Sequence, residues 1–117
     1  MIEAIDPDFR VDWTYPGDDD DPTVFEIRRL TARETTRMVH LMDRSCGYPQ
    51  PNPDSMEYAL DHGLVGWRNF KDASGALVEF DSKNPAVNVD RLPELAFVKL
   101  ASAIMAIQEP SGADRKK

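Results

Sequence analysis

Apolar and polar residues alternate along Phe9-Arg10-Val11-Asp12-Trp13-Thr14-Tyr15, placing Phe9, Val11, Trp13 and Tyr15 on one face. A period of two predicts a half-buried β-strand. Residues 23–30, Thr-Val-Phe-Glu-Ile-Arg-Arg-Leu, are rich in β-formers and predict a second strand. Between them, Pro16-Gly17-Asp18-Asp19-Asp20-Asp21-Pro22 combines turn formers with like charges that repel. The two strands are therefore expected to pair as a hairpin with a mobile acidic loop over residues 16–22.

The period then lengthens. Thr31 followed by Glu34 has the form of a capping box, and Thr35, Met38, Val39, Met42 and Cys46 recur along one side of a helix expected to stop at Gly47. Tyr48-Pro49-Gln50-Pro51-Asn52-Pro53 cannot continue it, so residues 47–53 read as a Pro-rich linker. A second helix is expected from an Asp54 cap, with Met56, Ala59, Leu60, Gly63 and Leu64 on one face and Gly63 as its stop. Residues 64–70 and 76–80 read as the arms of a second hairpin, turning at 72–75, with Gly75 where positive φ is needed. Strict alternation puts Leu64, Gly66, Arg68 and Phe70 on one side and Val65, Trp67 and Asn69 on the other, so Trp67 and Phe70 need not share a face. Residues 81–88 read as a loop. The last helix, over residues 92–108, carries a broad apolar stripe of Ala96, Phe97, Leu100, Ala101, Ala103, Ile104 and Ile107, with Pro93 in its first turn.

The pattern predicts a small α+β domain over residues 1–108, with two short antiparallel hairpin units, about three helices, the longest C-terminal, and a disordered tail over 109–117. The chain has 117 residues, 41% of them hydrophobic, enough for a modest core. Its 14 Lys and Arg stand against 21 Asp and Glu, a formal charge of −7, which disfavours binding to a phosphate backbone. Cys46 is the single cysteine, so no internal disulfide is available. No apolar run approaches the roughly 20 residues of a membrane span, and the first residues carry acid where a signal peptide carries positive charge. A soluble cytoplasmic protein is the expectation, with no nucleic-acid or membrane partner.

Candidate chemistry is thin. His40 and Cys46 lie six apart on one helix and so face different sides, which does not suit a metal site. The Asp18–Asp21 run lacks the alternation and closing glutamate of a calcium loop and reads as a solvated loop, with Arg28, Arg29 and Arg33 balancing its charge. There is no nucleophile elbow, phosphate loop or dinucleotide fingerprint. The chain reads as a non-enzyme without cofactor or metal. The aromatic hairpin around Trp67 and Phe70 reads first as a small core against the last helix, and second as a partner patch.

Leu64-Val65-Gly66-Trp67-Arg68-Asn69-Phe70, then Asp72-x-x-Gly75-x-x-Val78-x-Phe80, then Leu92-Pro93-x-Leu95 opening a helix, resemble the small tail assembly chaperones of long-tailed bacteriophages. Residues 23–30 with Thr31-x-x-Glu34 are also similar to that family's strand-into-helix opening, and the resemblance covers about residues 23–108. It implies a non-catalytic protein of the host cytoplasm, absent from the mature virion. Such a protein binds the aggregation-prone helical tape-measure protein and keeps it soluble while tail-tube subunits assemble. Family members often have a longer frameshifted form, which Arg115-Lys116-Lys117 would suit as an A-rich codon run. On this reading the partner surface draws on Trp67 and Phe70, with Phe97, Leu100 and Ile104 either supporting it or exposed. The tail-tube protein is a further candidate partner, and homo-oligomerisation is left open. The alternatives are a structural virion component, such as a connector or minor tail protein, and a small acidic inhibitor of a host enzyme.

Overall fold

The computed structural model describes residues 9–17 and 20–107. The Asp18-Asp19 tip of the acidic loop and the expected tail lie outside the described residues. An α+β fold is built from β1 (Arg10–Thr14), β2 (Val24–Arg28), α1 (Ala32–Leu41), α2 (Pro53–Gly63), β3 (Leu64–Arg68), α3 (Pro85–Asp90) and α4 (Glu94–Ala106). The strands form one antiparallel sheet in the order β1-β2-β3.

β1 and β2 make the expected hairpin, with Trp13 opposite Phe25. The second hairpin is organised differently. Its first arm, β3, pairs with the free edge of β2, placing Trp67 opposite Phe25. Aromatic pairs on a third strand stabilise a sheet more than an isolated ribbon can. Residues 76–80 return against 70–72 through one bridge, Lys71 to Leu77, and the Val78 N–H donates to the Phe70 carbonyl at 2.7 Å. The turn keeps its expected chemistry. Gly75 has φ +88°, its N–H donates to the Asp72 carbonyl at 3.0 Å, and Asp72 Oδ1 accepts from the Ser74 and Ala76 amides.

Two irregularities overturn strict alternation in β3. Ile27 pairs with Leu64 while Glu26 pairs with Gly66, so Val65 is an extra residue and the bulge carries Leu64 into the core, 5% exposed. Beyond the strand, Asn69 adopts φ +58° and turns Phe70 back toward Trp67. The other sheet face is charged: Arg68 Nη2 reaches Asp12 Oδ2 at 3.1 Å, from one edge strand to the other.

The helices cover the apolar face, and Phe25, Ile27, Leu30, Met38, Leu60, Leu100 and Ile104 form the buried core. Thr31 and Glu34 make the predicted capping box at α1. Glu34 does more. Its Oε1 accepts from the Thr31 amide at 2.9 Å, Arg28 Nη2 donates to both its oxygens at 3.0 and 2.9 Å, and His62 Nδ1 lies 3.2 Å from Oε2. One carboxylate thus joins β2, α1 and α2. Burial pushes this carboxyl up, but the hydrogen bonds from Arg28 and Thr31 and the charges of Arg28 and His62 outweigh it and hold the pKa below the usual value.

Three sequence-based boundaries are corrected. α1 ends at Leu41, before Gly47, because Asp43 exchanges backbone hydrogen bonds with Gln50 at 3.0 and 2.8 Å and accepts from the Ser45 amide. Cys46 is therefore exposed in the loop and off the apolar helix face. The α2 cap is Asn52 rather than Asp54: Pro53 occupies the first helical turn, and Asn52 Oδ1 accepts from the Ser55 amide at 2.9 Å. Part of the 81–88 loop is α3, fixed by the buried Asn88, whose side chain accepts from the Asp81 amide and donates to its carbonyl, each at 2.7 Å. Among the described residues, Arg28 pairs with Glu34, and Arg29 donates to the Ile107 carbonyl at 3.1 Å.

Gly63 seats α4 on α2. It ends the helix as expected, but without positive φ. A Cβ there would sit 2.7 Å from Ile104 Cγ2, so the missing side chain lets the two helices approach.

Candidate functional site

α4 has the sequence Glu-Leu-Ala-Phe-Val-Lys-Leu-Ala-Ser-Ala-Ile-Met-Ala, with Glu94, Lys99 and Ser102 its only polar residues. Ala96, Leu100, Ala101 and Ile104 turn inward and are buried. The opposite side carries Leu95, Val98, Ser102 and Ala106, spaced three, four and four apart, as one helical stripe. Leu95 is 58% and Val98 40% exposed. A helix that is apolar all round is normally enclosed by protein. Here the domain encloses one side of it.

A cleft of about 420 Å³ opens between the start of α4 and the sheet, lined by Tyr15, Thr23, Phe25, Asn69, Phe70 and Ala96 among others. Lys99 joins it to the stripe, its Nζ lying 5.5 Å from the Tyr15 ring centroid. Asn69 shapes the cleft's far wall. Its side-chain amide donates to the Asp21 and Pro22 carbonyls, and Thr23 Oγ1 donates to the Asn69 carbonyl at 2.8 Å. These contacts hold a left-handed conformation that costs a non-glycine residue about 1 kcal/mol.

Behind the cleft is an aromatic cluster. Trp67 meets Phe70 and Phe80 edge-to-face at centroid distances of 4.8 and 4.9 Å, and Phe25 at 6.3 Å. Its indole N–H donates to the Val78 carbonyl at 2.7 Å. Trp67 is thus half-buried, with its polar atom satisfied, and it pins the 70–80 turn to the sheet.

On the other flank of α4, a groove of about 320 Å³ is lined by the acids Glu57, Asp61 and Asp90 together with Ala86, Val89, Leu92 and Phe97. Asp61 Oδ1 is buried and accepts no hydrogen bond from the described residues. Burial first, then repulsion from Glu57, raise the Asp61 pKa; His62 opposes them, and Asp90 adds the smallest contribution, also upward.

Among protein-family models, curated proteins and solved structures, none matches this chain.

The five residues singled out from sequence therefore divide. Trp67 and Phe70 touch, and Phe70 also lines the cleft. Phe97 lines the acidic groove. Leu100 and Ile104 are fully buried, at 0% exposure, so they support the surface and present nothing to a partner. Leu95 and Val98, the exposed large apolar residues of α4, were not among the five. Their signal was present in the sequence: apolar residues left over on the far side of a helix already supplied with a core stripe. No group of three or more His, Cys, Asp or Glu among the described residues is arranged to hold a metal ion, and none of the described helices is long and apolar enough to cross a membrane.

Proposed function

We propose that this chain is a non-catalytic tail assembly chaperone that binds and solubilises a tape-measure protein during phage tail morphogenesis. The observation that carries the reading is the outward apolar stripe of α4, with Leu95 58% and Val98 40% exposed beside the aromatic cleft. An amphipathic client helix can lay its own apolar residues against such a stripe and place an anchor side chain in the cleft. The formal charge of −7 suits a carrier that must keep an aggregation-prone client dispersed. The hairpin and helix-opening motifs that resemble phage tail assembly chaperones lie in the same region, over residues 64–80 and 92–95. On this reading the protein acts in the host cytoplasm, leaves before the particle is complete, and performs no chemistry.

The test is co-expression with a phage tape-measure protein as candidate client. The client should move from the pellet to the soluble fraction and co-purify with this chain. Unchanged client solubility with no co-purification would refute the reading. Stable presence of the chain in purified particles would favour a virion component instead.

A further inference from the structure

We infer that the α4 face takes a partner helix whose apolar stripe is bordered on one edge by Lys or Arg, the cationic edge lying along the acidic groove between α2, α3 and α4. This rests on the reading that α4 is the client surface, and it names the client's chemistry. Helical geometry places Ala101, Glu94 and Met105 in the roughly 100° between Phe97 in the groove and Val98 in the stripe, so the two features lie on adjoining sides of one helix. The stripe supplies apolar contact and no direction. Direction comes from its borders, which differ in charge: Glu57, Asp61 and Asp90 rim the side toward α2 and α3, with Glu94 exposed on α4 itself, while Lys99 stands on the side toward Tyr15.

The groove is built for a long cationic side chain. Val89, Leu92 and Phe97 offer apolar contact for its methylene stem, and the exposed Glu57 and Asp90 offer carboxylates for its head. Asp61 Oδ1, buried without a donor, would gain one. The neighbouring His62 ring is engaged elsewhere, against Tyr58 at a centroid distance of 4.3 Å and with Nδ1 3.2 Å from Glu34 Oε2. A second copy of this chain is the poorer occupant. In a two-fold antiparallel pairing of α4 with itself like borders meet, acidic groove against acidic groove. In a parallel one a single Lys99 per copy would face Glu57, Asp61 and Asp90. A charge of −7 on each chain opposes either.

Three synthetic amphipathic helices of equal apolar content, with stripes bordered by Lys, Gln or Glu, test this against the full chain by fluorescence anisotropy at low and high salt. The Lys-bordered helix should bind about tenfold or more tighter than the Glu-bordered one, the effect of one or two desolvated charge pairs, with the gap shrinking in high salt. Glu57→Gln with Asp61→Asn should remove most of that preference and leave the Gln-bordered helix unaffected. Equal binding of all three would overturn the inference while leaving the apolar client surface standing. Binding of none would overturn it too, with the chaperone reading then judged separately by client co-expression. A wild-type dimer in sedimentation that Leu95→Glu/Val98→Glu converts to monomer would overturn it in favour of a second copy.

Discussion

Gly63→Ala isolates the contact that seats α4, and with it the surface α4 presents. Alanine in place of glycine ordinarily favours a helix by about 0.5–1 kcal/mol, and less at a last helical residue. Here the new Cβ would lie 2.7, 3.0 and 3.2 Å from Ile104 Cγ2, Cδ1 and Cγ1. Carbon atoms settle at about 3.5–4.0 Å. Ile104 is 0% exposed and β-branched, so it has no free rotamer to escape into. Overpacking of this kind costs about 1–3 kcal/mol, which exceeds the propensity gain. The net expectation is a loss of about 1–2 kcal/mol, lowering the melting temperature by roughly 4–8 °C per kcal/mol for a domain near this size. Urea unfolding followed by fluorescence of Trp13 and Trp67 would read it as a lower midpoint at unchanged slope. Ile104→Val removes Cδ1 from the clash. In that background Gly63→Ala should cost less, with a coupling of about 0.5–1 kcal/mol. A Gly63→Ala protein unfolding at the wild-type midpoint or above it would refute the close approach of α2 and α4.

Asn69→Ala should destabilise by about 1–2 kcal/mol, through the left-handed backbone and the lost side-chain bonds, whereas Asn69→Gly should lose only the bonds; equal losses in thermal unfolding would refute the backbone contribution. Thr31→Ala should cost about 1 kcal/mol by removing the α1 cap, and a melting temperature indistinguishable from wild type would count against that cap. Asp61 gives a signed pH effect. Its folded pKa is raised, so the folded chain holds that proton more tightly than the unfolded chain. The stabilisation is full below the unfolded value, near pH 4, and is lost as pH rises through the folded value. Asp61→Asn should remove that decline and raise the urea midpoint at neutral pH; parallel pH profiles for the two proteins would contradict it. Glu34 acts in the opposite sense, its stabilisation lost as pH falls through its lowered value, and Glu34→Gln should flatten the acid limb of the same profile.

Local chemistry was legible in the sequence where a single residue type decides the outcome. The Thr31–Glu34 box, the Gly75 turn and the β1–β2 hairpin all follow from side chains acting on their own neighbourhood. What was not legible depends on distant partners. β3 leaves its own hairpin because β2 has a free edge, and Leu64 and Phe70 change sides through a bulge and one left-handed asparagine. Neither has a period to read. Gly63 could be recognised as a helix end, but its close fit to Ile104, 41 positions away in sequence, could not. The surface is the mirror case. Alternation and helical spacing name the residues that face a core, and Leu100 and Ile104 belonged there. Leu95 and Val98 are the apolar residues that the same spacing leaves over, and the packed helix shows their side uncovered by the core.

The central claim is that the outer side of α4 holds the client. Leu95→Glu/Val98→Glu tests it most directly in co-expression with the tape-measure protein, with affinity-purified client measured against wild type. Both side chains are substantially exposed, so unfolding stability should stay within about 0.5 kcal/mol of wild type. Losing their further burial in the complex removes about 2 kcal/mol, roughly a thirtyfold drop in affinity, before the cost of burying two carboxylates. The expected result is a folded variant that no longer keeps the client in solution. A folded variant that retains and solubilises the client as wild type does would contradict it.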